Sequence, residues 1–208
     1  MRVSSVCLVA VLLVVSWSAA VRANHSSIVV HVIDCAGASP TAMTVAEHTM
    51  VRAFGAAGVR ALWREERTLQ AGHSALNHVA VIILSREMVR QKSTIDVVPV
   101  NALGSAAPPP TRRAWIFLDR IEEVAGRQRT SIGSILGVVI AHEVAHAAAG
   151  ITHSANGIMG PDLRTGHHHL AVFSAEQGEQ IRVALRLAAD GNAGAPTPVA
   201  SLSWPPLP

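Results

Sequence analysis

Tyrosine is absent, so no phenolic hydroxyl can serve as an acid or a hydrogen-bond donor in any site this chain builds. Lysine is nearly absent, Lys92 being the only one among 17 basic residues. The arginines are scattered, and no nucleic-acid-binding motif accompanies them, so no nucleic-acid partner is expected. Cysteine is scarce too. Cys7 lies in an N-terminal export signal and is lost with it, and Cys35 then stands alone, which excludes an internal disulfide from the mature chain. Cys35 reads as a small buried apolar side chain rather than a reactive thiol. Charge is sparse at 15% of residues and half the residues are hydrophobic, so a packed core is within reach of a single domain. No internal repeat is visible.

The longest apolar run near the N-terminus covers only ten residues, Val6 to Val15. A membrane span needs about 20. With Met1-Arg2 before it and small residues at Val21 and Ala23 behind it, the run reads as a signal peptide over residues 1–23, and cleavage after Ala20 is the alternative. No later segment reads as a membrane span. The mature protein is therefore expected to be secreted or periplasmic and not inserted in a membrane. A domain over residues 24–189 follows, then a Pro-rich tail over residues 190–208 that is expected to be disordered. About four residues separate the cleavage point from the first strand, so no large propeptide is expected.

Strands are predicted at residues 28–34, 59–63, 78–84 and 113–118 from their β-branched and apolar runs. Helices are predicted from Thr41 to about Phe54, from Ser85 to about Lys92, over 132–149, and from Ser174 to about Ala189. In the first, Val45, His48, Thr49, Met50, Val51 and Phe54 keep helical spacing. Residues 64–77 and 99–111 read as loops, the latter because of Gly104 and prolines 108–110. The fold class is α/β (α+β): a mixed sheet with packed helices, the longest helix following the last strand. Asp119, Glu122 and Glu123 read as a solvated helix start rather than a paired-carboxylate site.

Histidine is the residue in excess, with eleven copies. Residues 142–146 read His-Glu-Val-Ala-His. Two histidines four apart share one helical face, where their nitrogens can bind one metal ion. The glutamate between them is held beside the ion without binding it, and can take a proton from activated water and pass it to a leaving amine. The surrounding residues are almost all apolar, and a buried His-Glu-His triplet needs partners. Zinc needs a third protein ligand and an open position for catalysis. His153 is the candidate, because Gly150 can end the helix and turn the chain back. His167, His168, His169, Asp162 and Glu176 compete for that place. The run His167–His169 reads first as an exposed loop; in a second reading one of these histidines, or Arg164, faces the substrate as an oxyanion stabiliser. Met159 lies where a tight turn can set its side chain under the histidines. His25, His31, His48, His73 and His78 read as structural or surface residues.

HEVAHAAAGITH followed by GIM resembles the metzincin clan of zinc endopeptidases. The clan has two residues between its second histidine and the glycine, whereas three alanines, 147–149, stand here. The longer pattern also resembles a group of predicted secreted bacterial proteins of similar size. The resemblance implies a zincin-like fold with a central active-site helix, Zn2+ held by His142, His146 and His153, Glu143 as general base, and Met159 in a methionine turn. A secreted monomeric zinc endopeptidase acting on protein or peptide substrates follows. The alternatives are a zincin-shaped protein that holds zinc without cleaving, motivated by the missing tyrosine and the altered spacing, and a zinc scavenger, motivated by the histidine excess.

Overall fold

A computed structural model of the chain describes residues 26–68, 77–96, 98–155, 157–160 and 172–191. The expected signal peptide, nearly all of the Pro-rich tail, His25, His73, Asp162, Arg164 and His167–His169 lie outside the described residues.

The described residues form a five-stranded mixed sheet in the order β2-β1-β3-β5-β4. The strands are β1 (Ser27–Asp34), β2 (Arg60–Glu65), β3 (His78–Leu84), β4 (Gly104–Ala107) and β5 (Arg113–Phe117). β1 runs parallel to β2 and β3, β5 runs parallel to β3, and β4 is antiparallel to β5 at the edge. The helices are α1 (Pro40–Ala56), α2 (Arg86–Ile95), α3 (Leu118–Gln128), α4 (Ile132–Ala149) and α5 (Ala175–Gly191).

Alternation along the strands sends Val30, Val32, Val79, Val81, Ala114 and Ile116 to one face, where α1 and α4 cover them. Ile82, Leu84, Trp115 and Phe117 face the other way and pack against α2 through Val89. On α1 the buried stripe is Ala42, Met43, Ala46, Thr49, Met50, Ala53 and Phe54. His48 is exposed and Val51 lies at the surface, so those two residues of the expected pattern belong to the outer face.

α4 is buried on nearly every side. By length and composition it is apolar enough to cross a membrane, which corrects the expectation that no such segment follows the signal. Its apolar surface is instead taken up by the sheet, α1, α3 and α5. Gly133 and Gly137 let α1 approach: a Cβ on either would lie 2.6 Å from a backbone oxygen of α1, at Ala42 and Ala46 respectively.

Two elements differ from expectation. Gly104–Ala107, expected within a loop, is edge strand β4. Residues 118–128 form a full helix that begins directly after β5, so Leu118 is helical rather than the last strand residue. Glu122 and Glu123 are exposed on it and Glu123 pairs with Arg127, as a solvated face requires. Cys35 is half-buried, and burial, followed by the neighbouring Asp34 charge, raises its thiol pKa.

Candidate active site

α4 places the first three functional side chains. Ser131 opens it, its Oγ accepting from the Ser134 N–H at 3.3 Å. Gly150 closes it in the left-handed region at φ 63°, its N–H donating to the His146 carbonyl at 2.9 Å. Both ends fall where the sequence places them.

His142 and His146 lie one turn apart with their Nε2 atoms 3.0 Å from each other. The chain then turns at Gly150 and returns His153, whose Nε2 lies 3.2 Å from each of the other two. Three alanines in place of two before the glycine are therefore accommodated by the αL turn. His142 Nδ1–H donates to the Ile158 carbonyl at 2.8 Å, and His146 Nδ1–H donates to the Ile151 carbonyl. Only a protonated Nδ1 can bond a carbonyl oxygen, so in both neutral rings Nε2 carries the lone pair. These lone pairs meet the third ring at one point. Tetrahedral zinc with bonds of about 2.0–2.1 Å holds its nitrogens about 3.3–3.4 Å apart, close to what the rings already adopt. The three histidines form a group able to hold a metal ion.

Burial acts in the same direction. It lowers the His142 pKa to about 4, assisted by the neighbouring His146 and His153 and opposed by the Ile158 carbonyl. His146 is lowered too, first by burial. Both rings are thus neutral and ready as ligands at neutral pH. Glu143, buried beside them, has its pKa raised to about 8 by desolvation. A dication held by the three nitrogens favours the ionised carboxylate and opposes that rise.

Support for the triad comes from residues 157–160, which follow His153 closely in the chain. Met159 is fully buried there, its carbonyl accepting from the Ser154 N–H at 3.0 Å. The preceding Ile158 carbonyl orients His142, so the segment that carries Met159 and the first histidine of the triad are one hydrogen-bonded unit. Gln177 was not singled out from the sequence. It caps α5 reciprocally with Ser174, and its Nε2 donates to Ser154 Oγ at 2.7 Å, next to His153. The Ser-x-x-Gln spacing at 174–177 is the signal that marks it. Glu176 is exposed on the first turn of α5 and does not join the triad.

A cleft of about 660 Å³ opens over the triad, with Glu143 in its lining and Leu103 and the β4 residues Gly104, Ser105 and Ala106 along one wall. His31 and His78, expected as structural or surface residues, are in contact with each other elsewhere, His31 buried and His78 half-buried.

No protein-family model matches this sequence, and no curated protein matches it. Thirteen chains of solved structures do. One is the crystal structure of archaemetzincin from Methanopyrus kandleri, at a TM-score of 0.51 and 12% identity, covering 78% of this chain and 98% of that one. At that identity the likeness is one of fold: the mixed α/β arrangement described above is that of archaemetzincin.

Proposed function

We propose that this protein is a zinc-dependent endopeptidase, exported from the cell, in which His142, His146 and His153 hold the metal and Glu143 is the general base. The observation that carries the reading is the convergence of three histidine Nε2 atoms within 3.0–3.2 Å, with Glu143 beside them in the cleft lining. The archaemetzincin-like fold supports it. Export rests on the sequence of residues 1–23.

Bound zinc supplies Lewis acidity, which brings the pKa of water from 15.7 towards about 7. The chain's own residues do the rest. The carbonyls of Ile158 and Ile151 hold the two helical histidines in the tautomer that presents Nε2. Glu143 accepts the proton of the attacking water on its carboxylate and delivers it to the departing amine. β4 lies at the sheet edge, bonded to β5 on one side only, so its other side offers backbone donors and acceptors to an extended peptide. An extended peptide laid there passes over the triad. A protein that only holds metal has no use for a carboxyl lining the cleft, which favours the enzyme over the inactive alternative.

The test is cleavage of a diverse peptide mixture by the mature chain, read by mass spectrometry beside Glu143→Ala. The expected result is cleavage by the wild type alone, with both proteins retaining zinc. Equal cleavage by the variant removes Glu143 from the mechanism, and no cleavage by folded, zinc-loaded wild type favours the metal-holding alternative.

A further inference from the structure

We infer that His31 and His78 form a second metal site, for a divalent cation of the zinc class, on the sheet face turned away from the cleft. β1 is the middle strand of β2-β1-β3. Its residues Val30 and Val32 point into the main core, so His31 between them points to the opposite face. There it meets two residues from the strands on either side. Glu66, just after β2, places Oε1 2.5 Å from His31 Nδ1. His78, the first residue of β3, places its Nδ1 3.0 Å from His31 Nε2.

Each contact has a chemical consequence. A carboxylate on Nδ1 fixes the proton there and leaves the lone pair on Nε2, which is how carboxylates orient histidines that bind metals. That lone pair points at a second imidazole nitrogen. The 3.0 Å between the two nitrogens is the separation His142 and His146 show in the triad. Imidazole suits zinc, copper and nickel rather than calcium or magnesium. His31 is buried, so the pair is held in place before any ion arrives, and the half-buried His78 leaves a route in. A cation here ties β1 to β3 and leaves its remaining positions to other donors. The inference is independent of the peptidase reading.

The competing account is a direct N–H···N bond from His78 to His31, and metal counting separates the two. The full chain and its variants are stripped with a chelator, re-equilibrated with buffered zinc, and analysed for zinc per chain. Wild type is expected to bind one equivalent more than His31→Ala or His78→Ala. His146→Ala is expected to lose a different equivalent, so that the His78→Ala/His146→Ala pair loses two. Glu66→Gln keeps both rings and is expected to weaken the second equivalent by about 10- to 100-fold. Should buried His31→Ala fail to fold, His78→Ala and Glu66→Gln still decide the matter. Zinc content and affinity equal to wild type in the folded His78→Ala and Glu66→Gln variants overturn the site, whatever the state of the triad or of peptide cleavage.

Discussion

Gly104 on the edge strand and Glu143 on the central helix are in such close contact that no side chain fits between them: a Cβ on Gly104 would lie 2.8 Å from both Cγ and Oε1 of Glu143 and 2.9 Å from the Trp115 carbonyl. The carboxyl group therefore lies against bare backbone, and the glycine sets its position. The backbone oxygen cannot yield as a flexible side chain can, so an added methyl displaces either Glu143 or β4.

Gly104→Ala is expected to keep zinc in the triad while lowering kcat by about 100-fold, the scale of a 1 Å misplacement of a catalytic group. Glu143→Asp, with a shorter side chain, is expected to reduce the further loss that the same substitution causes, leaving the part that comes from the Trp115 carbonyl. Steady-state kinetics on the two single variants and the double variant, with zinc content measured in each, checks this. Strictly additive losses would place the effect of Gly104 elsewhere than on Glu143.

In the metal-free chain, stability is expected to fall as pH rises from 4.5 to about 8 because of Glu143. Over that interval the unfolded chain has released the carboxyl proton, and the folded chain, where burial raises the pKa to about 8, retains it. His142 acts at the acid end: its folded pKa of about 4 lies below the ordinary 6.5, so its contribution is present above 6.5 and lost as pH falls through 4. Glu143→Gln removes the first effect alone. Its advantage over wild type in urea unfolding with chelator is expected to be absent near pH 4 and to grow to a few kcal/mol by pH 8, at about 1.4 kcal/mol per pH unit. A constant difference across that range would mean that Glu143 is not desolvated.

Two glycines in helices are expected to respond oppositely to alanine. A Cβ on Gly137 would lie 2.6 Å from both the Ala46 carbonyl oxygen and the Thr49 Cβ, so Gly137→Ala forces α1 and α4 apart and costs about 1–3 kcal/mol. Gly126 on α3 is exposed, with nothing within 4 Å of its added Cβ, and Gly126→Ala is expected to stabilise by about 0.5–1 kcal/mol. Denaturant unfolding of both variants tests the α1–α4 contact, and stabilisation of equal size in both would show that the helices are not so close.

The centre of the molecule was legible because its signals are local. Ser131 and Gly150 bracket an apolar run of helical length, and α4 occupies residues 132–149 as its sequence predicts. β1 and β3 announce themselves through β-branched runs. β4 was hidden because Gly-Ser-Ala-Ala carries no β-branched or aromatic residue and prolines follow it; only pairing with β5 makes it a strand. Asp119, Glu122 and Glu123 mark a helix start, but the first residue of α3 was hidden because Ala-Trp-Ile-Phe-Leu is one apolar run, and the chain changes from strand to helix inside it without a side-chain cap at Phe117. The meeting of Glu66, His31 and His78 leaves no trace in spacing, since these residues lie 35 and 47 positions from His31 and only the strand order brings them together.

The shortness of β4 has a consequence for the life of the protein in a crowded compartment. An open strand edge invites copies of the same chain to join sheet to sheet. Here that edge is four residues long, and Pro108, Pro109 and Pro110 follow it at once with no N–H groups to offer. A visitor therefore finds a berth only a few residues long. That is fewer than the roughly six or seven residues a stacked zipper of strands uses, so this edge, unlike the six-residue β2 at the opposite edge of the sheet, is a poor template for growth between copies.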